Sequence, residues 1–284
     1  MTKTLMAAIV LAWSLVFSIG GLAQTPQDRT QDKVAFPPHK IIGNVYYVGT
    51  AMLNSYLITT PQGHILINTN FEDTVPLLRA SVEKLGFMVT DIKIILGSHA
   101  HGDHMQGDAA VKELTGGATV MAMEQDVPAL KGMKAPSGKP HPIDRVLKDG
   151  EQVSLGDAML TAHLTPGHTR GCTTWTMRVP EGGRTYDVMI VCAGLQEGAQ
   201  LVNNKNYPEI ADDFARSFKK YRTLPADVFL GSHSWFFDLV GKYKRLGGPT
   251  NPYVDPAGYK AWIDNQEKNY HALIAEQKKN PPAN

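Results

Sequence analysis

The run Ile92-Lys93-Ile94-Ile95-Leu96 passes through Gly97-Ser98 into His99-Ala100-His101-Gly102-Asp103-His104. A short apolar run of this kind reads as a buried strand. Side chains alternate along extended backbone, so His99 and His101 share a side, and Asp103 joins them if the extended path continues; His104 then points elsewhere. The whole chain has ten histidines. Three of them at the end of one buried strand describe a site only if further ligands reach that edge from distant sequence, and this requirement constrains the fold.

Two later stretches meet it. Thr165-Pro166-Gly167-His168 follows the predicted strand 159–164, and Gly231-Ser232-His233 follows the predicted strand 227–230. Zinc takes imidazole nitrogen and carboxylate oxygen, and its catalytic sites keep one position open. His99, His101 and His168 suit one ion, and Asp103, His104 and His233 suit a second. His39, His64, His141, His163 and His271 lack this clustering and read as surface or core residues.

Strand-like runs recur at 41–48, 55–59, 64–68, 118–123, 173–179 and 187–192. Helices fall between several of them. Asp73 or Thr74 caps one whose apolar positions are Val75, Leu78, Val82 and Leu85, with Gly86 ending it. Ile210, Phe214, Phe218 and Tyr221 form a second stripe that reads as core, and a last helix covers 257–278. Strands on both sides of the midpoint with helices interleaved imply two sheets covered by outer helices, a layered α/β architecture in one domain, 34–278.

With 284 residues, 43% of them hydrophobic and 19% charged, the composition is that of a globular protein. The formal charge of +1 falls to zero once Lys3 leaves with a leader, so no field gathers nucleic acid or an anionic membrane. The expected partner is a small molecule, and a monomer is expected. Residues 1–23 read as a secretory signal: Lys3, an apolar stretch, then Gly21-Leu22-Ala23 before Gln24. Cleavage after Ala23 leaves no membrane anchor in the mature chain and exports it to a periplasm. Cys172 and Cys192 are the only cysteines. On a hairpin turning at Glu181-Gly182-Gly183 they face each other, either as a disulfide or as two buried thiols.

Taken together, His99-Ala100-His101-Gly102-Asp103-His104, His168 within Thr-Pro-Gly-His-Thr, and His233 resemble the metallo-β-lactamase superfamily, over residues 41–270. The resemblance implies a four-layer αββα sandwich. Within the superfamily it points to subclass B3, the two-zinc β-lactamases that confer antibiotic resistance. It implies the same division of ligands, His99, His101 and His168 against Asp103, His104 and His233, with Asp103 also catalytic through the attacking water. His104 resembles B3, where the thiolate-using subclass B1 has arginine. The alternative that the resemblance leaves is another zinc hydrolase of the same fold, acting on a lactone, thioester or phosphoester. Many such members, glyoxalase II among them, place a bridging aspartate at the end of the strand that here runs from Asp187 to Gly194, where no carboxylate ends it and Asp187 begins it. One departure stands out. B3 enzymes often carry a serine within the segment that here reads Ala193-Gly194-Leu195-Gln196, leaving Gln196 as a substrate contact or a solvated loop residue.

Overall fold

A computed structural model of the protein describes residues 31–282, and the expected leader lies outside them. Seven strands follow one another in space in chain order: β1 (His39–Ile42), β2 (Val45–Tyr47), β3 (Tyr56–Thr60), β4 (Gly63–Ile67), β5 (Ile92–Leu96), β6 (Thr119–Met123) and β7 (Arg145–Leu147). The first four pair antiparallel, and β4 to β7 run parallel. Parallel neighbours need crossovers. These contain α1 (Val75–Lys84), α2 (Gly102–Met105), α3 (Asp108–Leu114) and α4 (Val127–Gly132).

A second sheet holds β8 (Gln152–Leu155), β9 (Ala158–Leu164), β10 (Thr173–Glu181), β11 (Arg184–Val191) and β12 (Val228–Gly231), in the order β12-β11-β10-β9-β8. Only β11 and β12 pair parallel in it. The later helices are α5 (Ile210–Tyr221), α6 (Leu239–Lys244) and α7 (Pro256–Lys279).

Alternation along the strands produces the layers. Ile65 and Ile67 of β4, with Ile94 and Leu96 of β5, belong to the cluster shared with Leu160 and Trp175 of the second sheet. Leu66 and Ile95, one residue out of step, join Val75, Leu78 and Val82 of α1 instead. A strand buried on both faces must be apolar at nearly every position, which is why Ile92–Leu96 is continuous. On the outer side of the second sheet, Phe229 of β12 meets Tyr259 and Trp262 of α7, and Phe218 of α5 meets Tyr270. Burying each such side chain contributes roughly 1.5–3 kcal/mol. The architecture is the expected αββα sandwich.

Three local expectations change. The single strand 41–48 is a hairpin, because Gly43 adopts φ +50° and turns the chain so that Ile42 pairs with Val45. Strands β7 and β8 were not anticipated; they are short, and their exposed positions break the apolar pattern. The third concerns the histidine motif: residues after His101 form α2, one helical turn, so the extended path stops before Asp103.

Candidate metal centre

Every element that carries a predicted ligand ends at the same edge of the two sheets. Asn68 N–H donates to the Leu96 carbonyl at 2.8 Å, Thr173 N–H to Ser98 at 2.7 Å, and Ser232 N–H to Val191 at 3.0 Å. Asn54 N–H then donates to Ser232 at 3.0 Å, returning to the first sheet. Backbone hydrogen bonds thereby tie the loop after β5 to the start of β10, where the loop after β9 ends, and the loop after β12 to the end of β11 and to Asn54.

His99 leaves β5 with its neighbour held: Ser98 N–H donates to Asn68 Oδ1 at 2.8 Å, and Ser98 Oγ lies 3.1 Å from His99 Nδ1. The turn of α2 brings Asp103 and His104 back beneath His99, and the His104 carbonyl accepts from Thr69 and Asn70 N–H at 2.9 and 3.0 Å. His168 follows Gly167, whose φ of +130° and contact with the Phe214 ring leave no room for a Cβ. His233 pairs with Leu53 through an isolated bridge, and the Trp235 ring stacks on it at 4.1 Å.

All six predicted ligands converge. His101 Nδ1 and His168 Nε2 are 3.2 Å apart, as are His104 Nε2 and His233 Nε2. One nitrogen, oxygen or sulfur atom from each of His99, His101 and His168 falls within a 4.8 Å group, and the same holds for His99, Asp103 and His104. Asp103 Oδ2 lies 3.6 Å from His104 Nε2. His99 Nε2 is buried with no hydrogen-bond partner among the described residues.

These positions fit zinc. Nitrogens bound tetrahedrally at about 2.0–2.1 Å stand about 3.3 Å from each other. The two pairs match that separation, and the orphaned buried nitrogen of His99 is one that a cation would satisfy.

Charge agrees with geometry. Burial, reinforced by His104 and the other imidazoles, holds His99 well below the ordinary histidine range. Burial, with His101 next, pushes His168 down to about 3, and burial with His104 lowers His233 strongly. Burial raises the Asp103 carboxyl, but His104, His233 and His101 together outweigh it and hold the group at about 2. His99, His168 and His233 therefore present neutral imidazole nitrogens and Asp103 a carboxylate, the protonation states that a divalent cation requires.

Gln196 is exposed, and its carbonyl accepts from Ala199 N–H at 3.3 Å. The missing serine has a physical counterpart. Gln266 of α7 is buried, its Oε1 accepts from Leu195 N–H at 2.7 Å, and it lies 2.6 Å from where a Gly194 Cβ would stand. The C-terminal helix occupies the space that a side chain at 194 needs.

Cys172 and Cys192 form a disulfide, with Cα atoms 5.7 Å apart. Cys192 Sγ lies 3.6 Å from His99 Nδ1, the ring nitrogen other than the orphaned Nε2. The disulfide thus stands directly behind a predicted ligand.

Two groups near the site escaped sequence reasoning. Asp126, just past β6, is buried and accepts three hydrogen bonds from the ligand loops. His141 Nε2 lies 2.9 Å from Asp108 Oδ2, both side chains buried. A carboxylate just beyond a strand end is a signal for the first, while nothing in the sequence pairs residues 108 and 141.

Relatives agree with this construction. Residues 48–180 match the family model described as the metallo-beta-lactamase superfamily. The structure superposes on the FEZ-1 metallo-beta-lactamase from Legionella gormanii with a TM-score of 0.83 and 44% identity, covering 87% of this chain and 98% of that one.

The chain belongs to the metallo-beta-lactamase superfamily.

Another superfamily member, BJP-1, a subclass B3 metallo-beta-lactamase of Bradyrhizobium japonicum, aligns with a TM-score of 0.82 and 35% identity, over 89% of this chain and 98% of that one. Curated relatives bear a different name. A hydroxyacylglutathione hydrolase of Methylococcus capsulatus is 30% identical over 47% of this chain, and the match spans only 44% of that protein's length. One from Hyphomonas neptunium is 33% identical over 80% of this chain and 76% of its own. Superfamily membership makes the protein a hydrolase; the two sets of relatives differ in the bond they are named for.

Proposed function

We propose that this superfamily hydrolase opens the β-lactam amide bond of penicillins, cephalosporins and carbapenems, using two zinc ions, one on His99, His101 and His168 and the other on Asp103, His104 and His233. One observation carries the reading. His104 shares the edge with His233, whereas β11 leads from Val191 into a disulfide-bonded Cys192 and carries no carboxylate there. Asp187, expected to begin this strand, instead lies within β11, which starts at Arg184; it stands four residues before Val191, its N–H donating to Asp227 Oδ2 at 3.0 Å. The end of this strand, where glyoxalase II-like hydrolases place the bridging carboxylate, thus carries none.

When bound, the zinc pair supplies water acidified toward neutral pH and polarises the carbonyl under attack. The protein supplies orientation. Asp103, held ionised, accepts a hydrogen bond from the attacking water and aims it; too weak a base to keep the proton, it acts by direction. The imidazoles stand on loops held by backbone hydrogen bonds to the strand ends, so little reorganisation is required during reaction. Trp235, half-buried and stacked on His233, gives the rim an apolar face for the substituents of a bicyclic substrate.

Export to a periplasm belongs to this proposal: it rests on the leader pattern of residues 1–23, and a buried disulfide suits an oxidising compartment.

The second reading is hydrolysis of a hydroxyacylglutathione thioester, favoured by the Hyphomonas relative at 33% identity over 80% of the chain. Zinc-loaded protein assayed on a penicillin, a cephalosporin, a carbapenem and a hydroxyacylglutathione thioester separates the two. Ring opening of the lactams with slow thioester cleavage is expected; inactivity on all three lactams at full zinc occupancy overturns the proposal.

A further inference from the structure

The histidine trio draws on loops from two different sheets. His99 and His101 leave β5 of the first, and His168 leaves β9 of the second. Three nitrogens on separate loops define a tetrahedral site only if the loops keep their spacing to within a few tenths of an ångström.

A single buried side chain spans them. Asp126 is 3% exposed and follows β6, the neighbour of β5. Its Oδ2 accepts from Ala100 N–H at 2.8 Å, the peptide between the two ligands of the first loop. The same oxygen accepts from Thr169 Oγ1 at 2.9 Å, one residue past His168. Its Oδ1 accepts from Gly171 N–H at 2.7 Å. The approach is so close that a Cβ on Gly171 would stand 2.5 Å from the Asp126 nitrogen and 2.6 Å from its Cβ. Glycine at 171 and a short acidic side chain at 126 are therefore matched to each other.

We infer that Asp126 is the positioning residue of the histidine trio, a carboxylate that locks the His99–His101 loop to the His168 loop and sets their spacing for a cation. It touches neither substrate nor reacting water. Three donors converge on one buried carboxylate, and charge-assisted hydrogen bonds of this kind are about twice as strong as neutral ones. Removing the carboxylate leaves the buried Ala100 and Gly171 N–H groups and the part-buried Thr169 hydroxyl without this acceptor, and the loops drift apart.

The inference rests on the reading of His99, His101 and His168 as metal ligands, but its test uses no substrate. Cobalt binding to metal-free protein is titrated by chelator competition and by visible absorption, for wild type, Asp126→Asn, Asp126→Ala and Gly171→Ala, alongside the melting temperature of each metal-free form. Asp126→Ala is expected to weaken one cobalt equivalent by about ten-fold or more and to shift the cobalt bands. Asp126→Asn keeps an acceptor for Ala100 and Thr169 but sets an amide N–H₂ against Gly171 N–H, so an intermediate loss is expected. Gly171→Ala retains the carboxylate yet pushes the loops apart and should reproduce the weakening; it carries the test if Asp126→Ala does not fold. A purely structural role lowers the melting temperature alone. Wild-type cobalt affinity and spectrum in folded Asp126→Ala, or in Gly171→Ala should the former not fold, overturn the inference. Wild-type protein that binds cobalt with the expected spectrum but opens no lactam leaves this inference standing and removes the proposed substrate; failure of wild type to bind cobalt removes both.

Discussion

His104 and His233 stand 129 positions apart in sequence and bring their Nε2 atoms to 3.2 Å. Neither imidazole is placed to be satisfied by the other alone. Burial and the neighbouring rings keep His233 neutral, and two nitrogens at the separation of tetrahedral zinc ligands share a cation better than they share a proton. The same separation recurs between His101 and His168, so the edge holds two such pairs.

Metal removal should therefore silence the protein without unfolding it. The apolar clusters between and outside the sheets hold the fold without any ion. Chelated protein is expected to retain its far-ultraviolet circular dichroism and a cooperative melt while losing all hydrolysis. Loss of the cooperative transition on chelation would mark the site as structural instead.

Gly194 and Gln266 form a coupled pair. Gly194→Ser drives a Cβ into Gln266 Oε1 and should destabilise the protein by about 1–3 kcal/mol, with loss of the Leu195 hydrogen bond. Adding Gln266→Ala should recover part of that loss, seen in denaturant melts as a non-additive double-mutant cycle. Strict additivity would show that the helix does not exclude a side chain at 194.

The disulfide closes a loop of sequence separation 20 behind His99. Cross-links of this size contribute about 3 kcal/mol by restricting the unfolded chain. A Cys172→Ala, Cys192→Ala double variant should lose stability of that order in urea and weaken zinc binding modestly, since the Cys192 sulfur packs on the His99 ring. Unchanged stability would remove the disulfide from the forces that hold the fold.

Acid stability has a contribution away from the metal. His39 lies among Phe36, Tyr47, Tyr243 and Tyr253, with Nε2 2.5 Å from the Tyr253 hydroxyl and Nδ1 2.8 Å from the Pro37 carbonyl. Burial lowers its pKa, partly opposed by that carbonyl. The unfolded chain therefore binds the proton first, and stability is full above the ordinary value of 6.5 and falls as pH drops through it. His39→Gln should flatten the melting-temperature profile between pH 7 and 5 relative to wild type in metal-free protein. Parallel profiles would assign the acid sensitivity to other groups.

Much of this was legible in the sequence, for a definite reason. Strand β5 lies inside the first sheet with clusters on both of its faces, so Ile92–Leu96 announces itself, and residues placed just past strand ends inherit the position of those ends. His168 and His233 each follow an apolar run, and the structure brings both to the edge where that run ends. The helical turn after His101 was not legible, since four residues carry no period; the hairpin at Gly43 was legible and was missed, because Gly43-Asn44 interrupts the apolar run as a two-residue turn signal. Asp126 and Gln266 act through contacts with loops 26 to 71 positions away, and pattern along a chain does not record such pairing.

The most direct measurement is anomalous scattering at the zinc edge from crystals of zinc-loaded protein. Two peaks are expected, one about 2.0–2.1 Å from nitrogens of His99, His101 and His168, the other at bonding distance from Asp103, His104 and His233. Zinc lodged elsewhere, or either His168 or His233 rotated out of the cluster in the loaded crystal, would contradict the two-ion centre.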